Sequence, residues 1–214
     1  SKMTVKDIVV DSMIGTIRLG SFEETIGLSG LAKDSRATLT MTLSDFSAPA
    51  DLLPAWAVPL IPSDFSLSVK FSGGDGEAMA RLAIGAFDLS KDDPLSADVE
   101  AKLRTMLLTG RPTISIQPST LKSPSFEVST SGSVTDLVLA PRATFLIEAK
   151  GFDETLASLQ GATSQNTDLA QTIVALVALK TLAKEEAGKA IWAVEVKPNG
   201  TVLVNGKDPL AGFK

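Results

Sequence analysis

Apolar and polar residues alternate along much of this chain, and a period of two predicts strands. The clearest run is 36–43. There Ala37, Leu39, Met41 and Leu43 point one way and Thr38, Thr40 and Thr42 the other. Phe65, Leu67, Val69 and Phe71 alternate with Ser66, Ser68 and Lys70 in the same manner. One greasy face and one wet face favour an antiparallel sheet. Weaker runs predict strands at 5–10, 13–19, 22–28, 80–87, 113–116, 125–130, 134–139, 144–149, 191–196 and 201–204. Asn199-Gly200 sits between the last two, a hairpin signal because both residues tolerate positive φ.

Three stretches carry a helical period instead. Leu95, Val99, Leu103, Met106 and Leu107 share a face over 95–108, with Gly110 as the stop. A short helix is predicted over 153–160, capped by Asp153. The longest runs over 167–187, with Asp168 near its start and Gly188 beyond its end. Leu169, Ile173, Leu176 and Val177 fall on one side of it, and Ala175, Leu179 and Leu182 on nearly the opposite side. A helix apolar on two sides is expected to be wedged between a sheet and another helix, or to keep one stripe for a partner. Asp168, Gln171, Lys180 and Lys184 interrupt it too often for a membrane span. In 47–62, Pro49, Pro54, Pro59 and Pro62 forbid a long regular helix.

A unit recurs three times: a strand ending beside Phe and Asp, a helical or apolar segment, and a returning strand. Its anchors are Asp45-Phe46, Phe87-Asp88 and Phe152-Asp153. The fold expected is α+β, a long curved and mainly antiparallel sheet with two or three helices packed on one face and built from β-α-β repeats. It would form a single elongated domain over 1–214, with sub-units 1–76 and 77–214.

Composition narrows the chemistry. Hydrophobic residues make up 44% of the 214 and charged residues 21%, ordinary for a globular protein. The net charge is −5 and the basic residues are scattered, so nucleic acid is not an expected partner. There is no histidine, cysteine or tyrosine. Ser-His-Asp and Cys-His nucleophiles, thiol redox work and imidazole or thiolate metal sites are thereby excluded. A hydrolase working through two carboxylates is the remaining enzymatic reading, but no acid pair stands out for it. No catalytic residue, metal site or cofactor is expected.

Candidate binding residues are therefore apolar. Trp56, Val58, Leu60 and Ile61, in the proline-rich segment, are read either as a lip for an acyl chain or as a lid packed on the sheet. Leu179 and Leu182 are read as a stripe for a protein partner. Asp92-Asp93 is read as a helix cap in preference to a cation site, and Glu23-Glu24 and Glu185-Glu186 as solvated faces. Trp192 is expected in the core.

The order of GFDETL, a helix and the hairpin VEVKPNGTVLVNGKDPL, preceded by LLTGRPTISI and LKSPSFEVSTSGSV, resembles family 2125 of the domains of unknown function. These are alphaproteobacterial envelope proteins, distantly similar to the AsmA-like group. The resemblance covers residues 80–214 and rests on turns and hairpins. It implies a periplasmic body tethered to the inner membrane by a segment absent from this chain, and no assigned activity. It brings no functional residues with it. The expectation is a non-enzymatic, periplasmic cell-envelope protein that binds lipid or another hydrophobic ligand in a sheet groove. The alternative is a structural module for an envelope protein partner.

Overall fold

A computed structural model describes residues 1–13, 15–30, 35–87, 93–136, 140–163 and 169–209. Its strands are β1 (Lys2–Ser12), β2 (Gly15–Ser29), β3 (Arg36–Ser44), β4 (Asp64–Ser72), β5 (Thr113–Lys122), β6 (Glu127–Thr135), β7 (Arg142–Lys150), β8 (Lys184–Glu186), β9 (Lys189–Val196) and β10 (Val202–Val204). They form one open, curved antiparallel sheet in the order β1-β2-β3-β4-β5-β6-β7-β9-β10, with β8 also on β9. The α+β expectation holds. The sheet crosses the suggested 76/77 division without a break, because β4 pairs β5.

Four helices enter between strands. The pair α1 (Gly76–Ala86) and α2 (Ala97–Thr109) follows β4, and the pair α3 (Phe152–Ala162) and α4 (Leu169–Leu182) follows β7. Two short 3₁₀ turns, Ala50–Leu52 and Val58–Leu60, occupy the proline-rich link from β3 to β4.

Cross-strand register turns the alternation into rows, since paired residues share a face. One apolar row runs Phe22, Leu43, Phe65, Leu121, Val128, Ala149, Ala190. Another runs Leu28, Ala37, Phe71, Ile114, Val134, Ala143, Val196. The opposite face carries Thr25, Thr40, Ser68 and their neighbours. Pro118 would break this order in mid-sheet, and a bulge between Ile116 and Ser119 absorbs it. The amide of Ser68 there is satisfied by the buried Ser119 hydroxyl at 3.0 Å. Gly132 takes the place of a side chain because Phe145 lies against it, so any Cβ would collide with the ring.

Along β1 the apolar positions change from odd (Met3, Val5) to even (Ile8, Val10) at Asp7, which has φ 53°. Along β2 they change near Gly20, and in β3 the alternation ends at Asp45, with φ 56°. Gly20 donates its amide to the Asp45 carbonyl at 3.3 Å. Aspartate tolerates the left-handed region, so the kink runs in line across neighbouring strands.

Several expectations are corrected. The predicted strand 80–87 is helix α1. Its start is fixed by Asp75, whose carboxylate accepts from the Ala78 amide at 2.9 Å, and a Glu77–Arg81 pair braces its first turns. A short apolar run cannot distinguish the two periods, and the cap lay upstream of it. Helix α4 ends at Leu182, not near Ala187. Residues 184–186 pair with β9 instead, through a two-residue turn with φ 51° at Ala187 and 74° at Gly188. Gly188 is thus a hairpin residue and not a helix stop. Helix α3 is capped at Gly151, and Asp153 lies in its first turn. The cap of α2 falls at Ser96, and Asp93 is exposed. Strands 13–19 and 22–28 are one strand, β2. The middle repeat unit fails, since its leading segment is α1. Asp88, Asp92, Asp168 and the 137–139 end of a predicted strand lie outside the described residues.

Candidate functional site

Among the described residues, the buried apolar side chains of the core sit in the C-terminal half. Ala149, Ala190 and Trp192 form one cluster with Val128, Ile147 and Leu182 against it. The Trp192 indole donates to the Leu179 carbonyl at 2.7 Å and meets the Phe152 ring edge-on, 5.5 Å between centroids. Leu156, Leu159 and Ile173 form the second cluster, between α3 and α4. Asn205, at φ 50°, locks the end of α4 to the sheet. Its side-chain amide donates to the Leu182 and Ile191 carbonyls at 2.8 Å each and accepts from the Ala193 amide at 3.0 Å. Sequence pattern marks Asn205-Gly206 as the end of a strand and does not reach the contacts that Asn205 makes with α4. The Asn-Gly pair at 205–206 was the available signal.

The proline-rich segment lies at the same end. Trp56 and Leu60 pack against the second cluster, so this segment closes over the α3–α4 pair as a lid. Pro59 fastens it, its carbonyl accepting from the Ser125 hydroxyl at 2.8 Å and the Ser125 amide at 3.2 Å. Trp56, Val58, Leu60 and Ile61 are all half-buried.

Beyond that lid the described residues cover the apolar face only in part. Phe22, Leu39, Met41, Leu43, Phe65, Leu67, Val69 and Phe71 are half-buried, and no apolar side chain of β1–β4 is fully buried among the described residues. At the outer edge Met3 is 50% exposed and Leu28 72%. One charge interrupts the lattice. Glu24 stands on the apolar face, between Met3 and Met41 in register. The result is a broad greasy surface, about four strands or roughly 15 Å wide at about 4.8 Å per strand, bounded on one side by the lid.

Helix α4 is covered on two sides only at its C-terminal end. Ile173 is buried and Leu169 and Leu176 face α3, while Leu182 joins the Trp192 cluster. Leu179 is 47% exposed, as are Val174 (70%) and Val177 (40%). The structure therefore separates the two predicted partner residues, one outside and one in the core. Lys180 pairs with Asp153 and more loosely with Glu185 at 3.8 Å. Hydrogen bonding to Asp153 holds its ammonium above the usual lysine pKa. Lys189 is raised in the same sense by its 2.8 Å bond to Glu148. No described helix is long and apolar enough to cross a membrane.

Comparison with protein-family models, curated proteins and solved structures returned no match.

Proposed function

We propose that this chain is a non-enzymatic cell-envelope protein, facing the periplasm, that holds a lipid or another hydrophobic ligand on the apolar face of β2–β4. The observation that carries this reading is the half-exposed lattice running from Phe22 to Phe71, continuous with a lid that already packs apolar side chains. Large exposed apolar patches on soluble proteins mark binding surfaces. An acyl chain covering about 300 Å² there would gain roughly 7 kcal/mol of transfer free energy before association entropy is subtracted. The lack of histidine, cysteine and tyrosine supports a role without nucleophilic chemistry. The envelope setting and the inner-membrane tether rest on the resemblance over 80–214.

Native mass spectrometry of the purified protein should reveal co-purifying lipid, and added phospholipid should raise its melting temperature. A bare protein with an unshifted melt defeats the proposal.

One observation favours a second reading, a docking module for an envelope protein. Helix α4 is apolar on two sides, yet leaves Val174, Val177 and Leu179 exposed. Light scattering on Val174→Glu and Leu179→Glu tests it. Leu182→Glu is unsuitable, because that side chain is part of the core. Unchanged mass in both variants, starting from an oligomer, removes this reading.

A further inference from the structure

The polar face has two unlike ends. At the end where α3 begins, two ion pairs join strands, Lys122 with Glu127 at 3.4 Å and Lys189 with Glu148 at 2.8 Å. At the other end, where β3 begins and β4 ends, a cavity of about 290 Å³ is lined by Arg36, Lys70 and Arg111 with the hydroxyl residues Ser72 and Thr113. None of its described lining residues is acidic. The three cations form no ion pair among the described residues.

Register explains how they meet. Arg36 pairs with Ser72 across β3 and β4, and Ser72 pairs with Thr113 across β4 and β5. That places Arg36, Ser72 and Thr113 in one row on the polar face. Lys70 lies one step along β4 from Ser72 on the same face, and Arg111 one step before Thr113. Two hydroxyl residues are thus bracketed by three positive side chains.

The backbone there is held in a costly shape. Arg111 has φ 47°, which a non-glycine residue adopts only when its surroundings impose it. Gly73 has φ 105°, and a Cβ on it would lie 3.0 Å from the Gly110 carbonyl and 3.1 Å from that of Arg111. Ser35 ties the start of α1 to the same corner, accepting from the Gly76 amide at 2.6 Å and donating to the Gly74 carbonyl at 3.1 Å. The corner is braced around three cations that have no ion-pair partner among the described residues, in a protein of net charge −5.

We infer that this corner is an oxyanion site for a phosphate group, presented by a soluble phosphate or by a phosphomonoester lipid headgroup. Guanidinium forks match tetrahedral oxyanions, lysine adds a point charge, and serine and threonine hydroxyls donate to the remaining oxygens. The cleft is open to solvent and wide enough to admit a tetrahedral oxyanion. The site lies on the face opposite the apolar rows, so it stands or falls separately from the lipid reading above.

The test titrates the intact chain with inorganic phosphate at constant ionic strength, following backbone amides of Arg36, Ser72 and Thr113 by NMR. In parallel, phosphatidylcholine vesicles with and without phosphatidic acid are sedimented with the protein. Saturable phosphate shifts at these amides, weakened about tenfold or more in Arg36→Gln/Lys70→Gln and kept in Lys102→Gln/Arg104→Gln on α2, establish a soluble-phosphate site. Binding only to vesicles with phosphatidic acid, with the same variant pattern, establishes the headgroup as the source. Arg111→Gly guards against misfolding. It relieves the positive φ, so it should melt no lower than the parent while binding weakens. No saturable binding in either arm, or equal loss in the pocket and α2 variants, overturns the inference.

Discussion

The two halves of the sheet carry the same alternation, yet only one is closed. In β7 and β9, Ala149, Ala190 and Trp192 disappear beneath α3 and α4. In β3 and β4, places on the same face are Leu39, Met41, Leu67 and Val69, all only half-buried. Hydrophobic pattern thus does not separate a core from a binding surface. What separates them is whether the chain supplies a cover, and the cover arrives with the segment inserted after β7.

Four substitutions or conditions sharpen that contrast. Trp192→Ala should have the largest effect, lowering stability in urea by about 4 kcal/mol, because a buried indole, its edge contact and its hydrogen bond vanish together. A loss below ~1 kcal/mol would mean the closed half is not a core. Asn205→Ala should follow at about 2–3 kcal/mol, leaving two carbonyls and one amide without their partner. Circular dichroism should report that α4 frays at its end. In the open half, Leu67→Ala should lower stability by only about 1–2 kcal/mol, since the side chain is incompletely buried. The same change should weaken lipid-dependent melting shifts. Equal losses at Leu67 and Trp192 would erase the distinction between the halves.

The smallest effect is a matter of pH. Lys180 and Lys189 have folded pKa values above the ordinary 10.5. Their stabilisation is therefore complete at neutral pH and is lost as pH rises through the raised values. Melts recorded between pH 9 and 11.5 should fall slightly in the parent and less in Lys180→Met/Lys189→Met. Both side chains are well exposed, so the difference should be modest.

Glu24 marks how the open half is managed. A carboxylate on the apolar face next to the edge strand β1 discourages sheet-to-sheet association. Its neighbour Glu23, on the polar face, has a partner in Lys2 at 2.9 Å. The sequence reading placed both in solvated faces, because adjacent acids look alike until register assigns them to opposite sides.

Legibility followed the range of the deciding interaction. Strands β3 and β4, helix α2 and the Asn199-Gly200 turn are written in local alternation, period and turn chemistry, and they were readable. Helix α1 was missed because its cap lies at Asp75, ahead of the apolar run. Strand β8 was missed because 184–186 is extended only through the free edge of β9. The lid residues Trp56 and Leu60 were legible as apolar, but their partners at Leu156 and Ile173 are about a hundred residues away.

By itself the sequence determined that this chain alternates, that its alternate faces are greasy and hydroxyl-rich, and that it lacks thiol and imidazole chemistry. Those are properties of neighbouring residues and of composition. Only tertiary structure decided which greasy rows are covered, which end of the polar face gathers Arg36, Lys70 and Arg111, and where α4 stops. Each of these depends on register and on elements distant in the chain meeting in space, and a period of two is the same whether or not anything lies above it.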